Sequence, residues 1–134
     1  FNMENAKPLS TPLPTYVKLS TCDSPTSDED KQFMTKVPYQ SAIGSLMYAM
    51  VATRPDIAFA VGVVSRFMSN PGKKHWDALK LIMRYLSGTK DKCLCLGRGD
   101  VSIIGYTDSD YAGCADSRKS TSGYIFQIMG GAIA

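Results

Sequence analysis

The sequence predicts an α+β chain, in which a three-helix bundle is followed by an incomplete antiparallel β-unit. Three observations carry this. Between residues 38 and 88 the apolar residues recur at helical spacing in three successive runs. After residue 92 the period changes to strand-like alternation. Pro8, Pro12, Pro14 and Pro25 crowd the first 26 residues, where missing N–H donors and a fixed φ exclude an element interior. The chain is therefore read as three parts. An extended Pro/Ser/Thr-rich connector with a short helix fills 1–36, a helical module 37–90, and the β-unit 91–134.

The short helix is "SDEDKQFM", with Ser27 as N-cap and Asp30 three residues on. "PYQSAIGSLMYAMVAT" places Pro38 in a first turn and Tyr39, Ile43, Leu46, Met47 and Met50 on one face. "RPDIAFAVGVVSRFMSN" opens with Pro55, where a missing N–H costs nothing, and with Asp56, which the helix dipole favours. Its stripe is Ile57, Val61, Val64 and Met68. "NPGKKHWDALKLIMRYLSG" offers Asn70 as cap, Trp76, Leu79, Ile82, Met83 and Leu86 as the buried face, and Gly88 as the stop. Short connections between amphipathic helices imply a bundle. Beyond "GTKDK", "CLCLG" and "VSIIGYTD" read as strands joined by a hairpin turn at Gly97, Gly99 and Asp100. "DSRKSTSG" is a polar loop, "YIFQIM" a further strand, and "GGAIA" a turn that starts another.

Composition narrows function only loosely. A formal charge of +3 permits a nucleic-acid partner without demanding one. No apolar run reaches the roughly 18–20 residues of a membrane span, because Arg54, Asp56, Arg66 and Lys80 interrupt the candidates. "FNMENAKPLS" lacks the basic and apolar segments of a signal peptide, and its opening reads as a chain that begins mid-protein. The cysteines at 22, 93, 95 and 114 fit no zinc spacing, so they read as reduced thiols of an intracellular protein.

Two features point to chemistry. "IIGYTDSDYAG" ends a strand in two acids, and alternation puts Asp108 and Asp110 on one side if the strand continues. Such a pair is either a turn, which aspartate readily makes, or one arm of a metal site. The second feature is "GKKHWDALKLIMRYL", which gathers Lys73, Lys74, His75, Lys80 and Arg84 around an apolar stripe. The alternative to a binding face there is an ordinary solvated one, with Trp76 in the core.

The runs "YQSAIGSLMYAMVATRPDIAFAVGVVSRFMSNP", "HWDALKLIMRYLSGT" and "GYTDSDYAGCADSRKSTSGYIFQIMGGAIA" strongly resemble the Pol polyprotein of copia-type LTR retrotransposons. They cover nearly everything from about residue 37 onward, in the family's order, and "KPLSTPL" is similar to its connector. The resemblance implies that the helices are the thumb-like end of a reverse transcriptase and the strands the start of a ribonuclease H. It makes Asp108 the first catalytic, metal-binding acid of that nuclease and Asp110 an auxiliary one. Two magnesium ions would serve the intact parent, none binding tightly to this chain. Lys73, Lys74, Lys80 and Arg84, with Arg118 and Lys119 in the polar loop, would touch the phosphates of an RNA–DNA hybrid. The family's second acid, a glutamate, would lie beyond "GGAIA" and its polymerase aspartates upstream of Phe1. The chain alone is therefore expected to be inactive, a piece of a polyprotein found in cytoplasmic particles or the nucleus. Its partners would be hybrid and the remainder of Pol, with no membrane. The competing expectation is a host-retained module that binds nucleic acid or a protein without catalysis.

Overall fold

The computed structural model describes residues 3, 6–94, 97 and 100–133. It is α+β, with four α-helices and one three-stranded antiparallel sheet among the described residues. The chain divides into two units, Phe1–Lys92 and Cys93–Ala134. Among the described residues no helix is long and apolar enough to cross a membrane.

In the first unit α1 (Asp28–Thr35) starts where the sequence predicts. The Ser27 hydroxyl accepts from the Asp30 N–H at 3.1 Å and donates to the Asp30 carboxylate at 2.8 Å. Pro38 is the N-cap of α2 (Tyr39–Ala52) and stands just outside its first turn. The long second helix of the sequence reading is shorter than expected. A 3-10 turn at Pro55–Ile57 leads into α3 (Ala58–Ser65), and beyond it i→i−3 bonds carry the chain through tight turns to Asn70.

The last helix, α4 (Lys73–Gly88), corrects two expectations. Its N-cap is Gly72, not Asn70. The Gly72 backbone lies against the Asp23 carbonyl so closely that a Cβ there would overlap it, so only glycine fits. Gly88 is likewise not a left-handed stop, because it is the last helical residue and Thr89 is the C-cap. Gly88 is small for a different reason: a Cβ would come within 2.7 Å of Pro8.

The core of this unit joins Tyr39, Ile43 and Leu46 of α2, Ile57 before α3, Val61 and Val64 of α3, and Leu79 and Ile82 of α4. Burying an aliphatic side chain of this size stabilises the fold by about 1.5–3 kcal/mol. Trp76 is half-buried against this core, its ring 6.4 Å from that of Tyr39. The Tyr39 hydroxyl donates to the Val64 carbonyl at 2.8 Å, tying the start of α2 to the end of α3. Met47, expected in the stripe, is exposed. No charged residue marks the outer face of α2, so spacing alone could not choose between neighbouring apolar positions. The proline-rich segment packs on the helices: Leu19 is buried in the core, and Leu13 and Val17 lean on it.

In the second unit β1 (Ile103–Ser109) pairs antiparallel with β2 (Ser122–Ile128), which pairs with β3 (Gly131–Ala132). The β2–β3 turn is Met129 and Gly130, both at positive φ, as a two-residue hairpin of the mirror-image type requires. Phe126 lies across from Gly105 with its ring where a Cβ at 105 would be, 2.9 Å away. The glycine thus makes room for the aromatic ring. The strand expected at "CLCLG" is absent at Cys93 and Leu94, and Cys95, Leu96, Arg98 and Gly99 lie outside the described residues. The expected hairpin partner of β1 on that side is therefore not found among the described residues.

Candidate functional site

Asp108 is the penultimate residue of β1, opposite Gly123, and is exposed. Its carboxylate accepts from the next backbone N–H, that of Ser109, at 2.9 Å. β1 ends at Ser109, so Asp110 stands just past the ladder. Asp110 is tied to the chain on the far side of the polar loop. Its N–H donates to the Thr121 carbonyl at 3.0 Å, and its carboxylate accepts from the Thr121 N–H at 2.5 Å. Gly113 faces the other oxygen of that carboxylate so closely that a Cβ would overlap it.

The loop closed by this latch is internally bonded. The Ala112 N–H donates to the Ser120 hydroxyl at 3.1 Å, the Cys114 N–H to the Lys119 carbonyl at 3.1 Å, and the Arg118 N–H to the Cys114 carbonyl at 2.9 Å. Ala112 and Arg118 take left-handed backbone conformations to complete the turns. Arg118 and Lys119 are exposed on this loop.

As a metal site this donor set is small. Asp108 offers one carboxylate, and that of Asp110 is engaged with Thr121. Among the described residues no three His, Cys, Asp or Glu side chains gather where an ion could sit. Magnesium takes near-octahedral oxygen coordination. The described acids do not by themselves fit it.

The basic residues of α4 are each met by a group of the same unit. Lys74 forms an ion pair with Asp23 at 2.9 and 3.1 Å, and Lys80 one with Asp77 at 2.6 Å. The Arg84 Nε donates to the Lys7 carbonyl at 2.7 Å, and the Lys73 ammonium stands 5.9 Å from the centre of the Phe33 ring. Asp23 also accepts from the Ser20 N–H at 3.0 Å. Its partial burial pushes its carboxyl up, but the bonds from Lys74 and Ser20 outweigh this and hold it below its ordinary value.

His75, grouped with these cations in the sequence, is fully buried. Its Nδ1 accepts from the Gly72 N–H at 2.8 Å, so in the neutral ring Nε2 carries the hydrogen and faces the Ser20 carbonyl at 3.1 Å. The ring stacks on Phe67, 4.0 Å between centres. It closes the first turn of α4 from within the core.

A second polar cluster went unnoticed in the sequence. The Arg54 guanidinium binds both oxygens of Asp56, at 3.0 and 2.8 Å, and donates to the Thr89 carbonyl and hydroxyl at 3.1 and 2.6 Å. The Tyr85 hydroxyl donates to Asp56 at 2.6 Å, and the Thr89 hydroxyl donates to the Tyr85 carbonyl at 2.8 Å. Arg54 holds the Asp56 carboxyl below its ordinary range, whereas Asp56 pushes the Tyr85 phenol up. The signal was present: these residues belong to the runs "TRPDI" and "RYLSGT". Their meeting fastens the turn before α3 to the end of α4.

The chain is 63% identical, over all 134 of its residues, to part of the retrovirus-related Pol polyprotein from transposon TNT 1-94 of Nicotiana tabacum, of which it covers 10%. It is 42% identical over 128 residues, 95% of its length, to the corresponding polyprotein from transposon RE2 of Arabidopsis thaliana, of which it covers 8%. It is also 51% identical over 102 residues, 75% of its length, to the secreted RxLR effector protein 161 of Plasmopara viticola, of which it covers 72%. The chain thus spans a small part of either polyprotein and most of the effector. No protein-family model matches it. No solved structure matches it either.

Proposed function

We propose, from the premise that this chain belongs to the retrovirus-related Pol polyproteins of copia-type transposons, that it forms the junction between two enzyme modules. The helical unit is the thumb-like end of the reverse transcriptase, and the strands begin a ribonuclease H-like domain. The observation that carries this reading is the place of Asp108, next to the end of the first strand of an antiparallel hairpin. That is where the resemblance puts the nuclease's first metal-binding acid.

The substrate in this reading is an RNA–DNA hybrid, and the parent enzyme cuts its RNA strand. Magnesium, when bound, stabilises the attacking and leaving oxygens of such a cleavage. Asp108 supplies one carboxylate and Asp110 positions the loop beside it, while the remaining acids come from outside this stretch. Arg118 and Lys119 face the phosphate backbone without reading bases. The 134-residue chain alone is then inactive. The test is incubation of the chain with labelled hybrid and magnesium, beside a longer Pol segment and its Asp108→Asn variant. The expected outcome is cleavage only by the longer segment, lost in the variant. Robust cleavage by the short chain overturns the reading.

One observation favours a second reading, a non-catalytic module. The effector relative is a short protein, and most of it aligns with this chain. This reading expects both units to fold without further Pol sequence. Hydrogen exchange on the isolated chain separates the two. Lasting protection of the β1 and β2 amides supports the module, and rapid exchange supports a hairpin that needs more polyprotein.

A further inference from the structure

The thumb-like reading needs Lys74 to meet phosphate, yet the segment preceding α1 already meets it with a carboxylate. We infer that Asp23 is an intramolecular stand-in for phosphate, and that hybrid binding to α4 proceeds by displacing it from Lys74. The inference rests on the thumb-like reading and adds a competitor built into the same unit.

The geometry is specific. Asp23 closes a 3-10 turn, Thr21–Asp23, whose N-cap Ser20 donates its N–H to the Asp23 carboxylate. The same turn is fixed to α4 from below, where the Ser20 carbonyl faces buried His75 and the Asp23 carbonyl lies against Gly72. The backbone that carries Asp23 is therefore anchored, whereas the pair it makes is open to water. The Lys74 side chain is 56% exposed and that of Asp23 21%. An exposed pair of this kind is weak. Phosphate oxygens arriving at the first turn of α4 can therefore take Lys74 without unfolding the turn beneath it. Lys80 has a carboxylate partner on its own helix, and Arg84 donates to a neutral carbonyl. Asp23 is thus the acid that the segment outside the helix contributes to this face.

The experiment measures binding of a fluorescent RNA–DNA hybrid to the full 134-residue chain across a salt series. The variants are Asp23→Asn, Lys74→Ala, the two combined, and Lys73→Ala with Lys74→Ala. Asparagine keeps a side-chain oxygen for the Ser20 N–H, and a thermal melt confirms that each variant is folded. The expected result is two- to fivefold tighter binding by Asp23→Asn. Its log–log salt slope should steepen by up to about one, because in the parent the displaced Asp23 carboxylate takes up a cation that offsets part of the release from the phosphates. Both gains should vanish in the combined variant. Unchanged binding by Asp23→Asn, with weaker binding by Lys74→Ala, overturns the competitor and leaves the thumb-like contact standing. A gain that persists without Lys74 overturns it too, as a general charge effect. If neither lysine variant binds differently from the parent, the thumb-like contact itself fails, and the inference with it.

An independent readout needs no substitution. Saturating hybrid should shift the carboxylate carbon resonance of Asp23, which loses Lys74, while the Ser20 amide keeps its protection. Binding with no shift at that carboxylate counts against displacement.

Discussion

At Gly72 the N-cap of α4 carries no side chain, and the Nδ1 of His75 reaches back to accept the Gly72 N–H, the reciprocal half of a capping box. A substitution at 75 therefore acts on two backbone groups at once. His75→Phe should keep the stack on Phe67 while leaving the Gly72 N–H and the Ser20 carbonyl without this partner. The Ser20 carbonyl keeps the Asp23 N–H, so the loss should be that of one unsatisfied buried group, the Gly72 N–H, about 1–3 kcal/mol. Urea unfolding checks it, and a variant as stable as the parent would show that water substitutes for the ring. Asp56 makes a different claim at the same scale. Arg54 holds its carboxyl below the ordinary value, so its charge stabilises the fold at neutral pH. Because the folded value is the lower one, that contribution is present above the unfolded value of about 3.9 and is lost as pH falls through the folded value. Asp56→Asn should therefore lower the melting temperature at pH 7, and the difference should shrink as pH falls below the unfolded value. A difference that does not shrink in acid would place the effect in packing instead.

The elements themselves were largely legible. Ser27 announced α1, and the stripes Ile57–Val61–Val64 and Leu79–Ile82 are the ones buried. Leu79→Ala should accordingly cost about 2–5 kcal/mol by leaving a cavity in that core, measured by urea unfolding. What spacing could not show is whatever depends on a neighbour distant in sequence. Asn70 looked like the cap because the Asp23 carbonyl, which makes Gly72 obligatory, comes from another part of the chain. Gly88 looked like a stop for the same reason, its real constraint being Pro8. The Arg54–Tyr85 cluster is likewise hidden, because neither "TRPDI" nor "RYLSGT" names its partner. At the candidate site the strand that bears Asp108 was readable from alternation, whereas the bond from Thr121 to Asp110 was not. Turn chemistry was missed at Met129, which occupies a left-handed position that asparagine takes more easily. Met129→Asn should stabilise the second unit by up to about 1 kcal/mol, visible as slower hydrogen exchange at Ile133, whose N–H donates to the Phe126 carbonyl.

On the scale of the whole molecule, the two units differ in how they treat apolar surface. The helical unit buries its aliphatic residues, whereas Ile103, Tyr106, Tyr124 and Phe126 of the strands are exposed. Ile103, Tyr124 and Phe126 share one face, and Tyr106 lies on the other together with Asp108. A sheet apolar and exposed on both faces is one that further protein would cover, as the junction reading expects. Binding of a hydrophobic dye checks this: the isolated chain should brighten it, and a longer Pol segment should do so less.

The Asp110–Thr121 latch also bears on how this sequence can vary. Because the two ends of the polar arm are fastened at its base, residues added or removed near Ala115–Ser117 need not shift the register that places Asp108 opposite Gly123. The tip can drift in length and charge as copies diverge, while the acid at its root stays where the strand puts it.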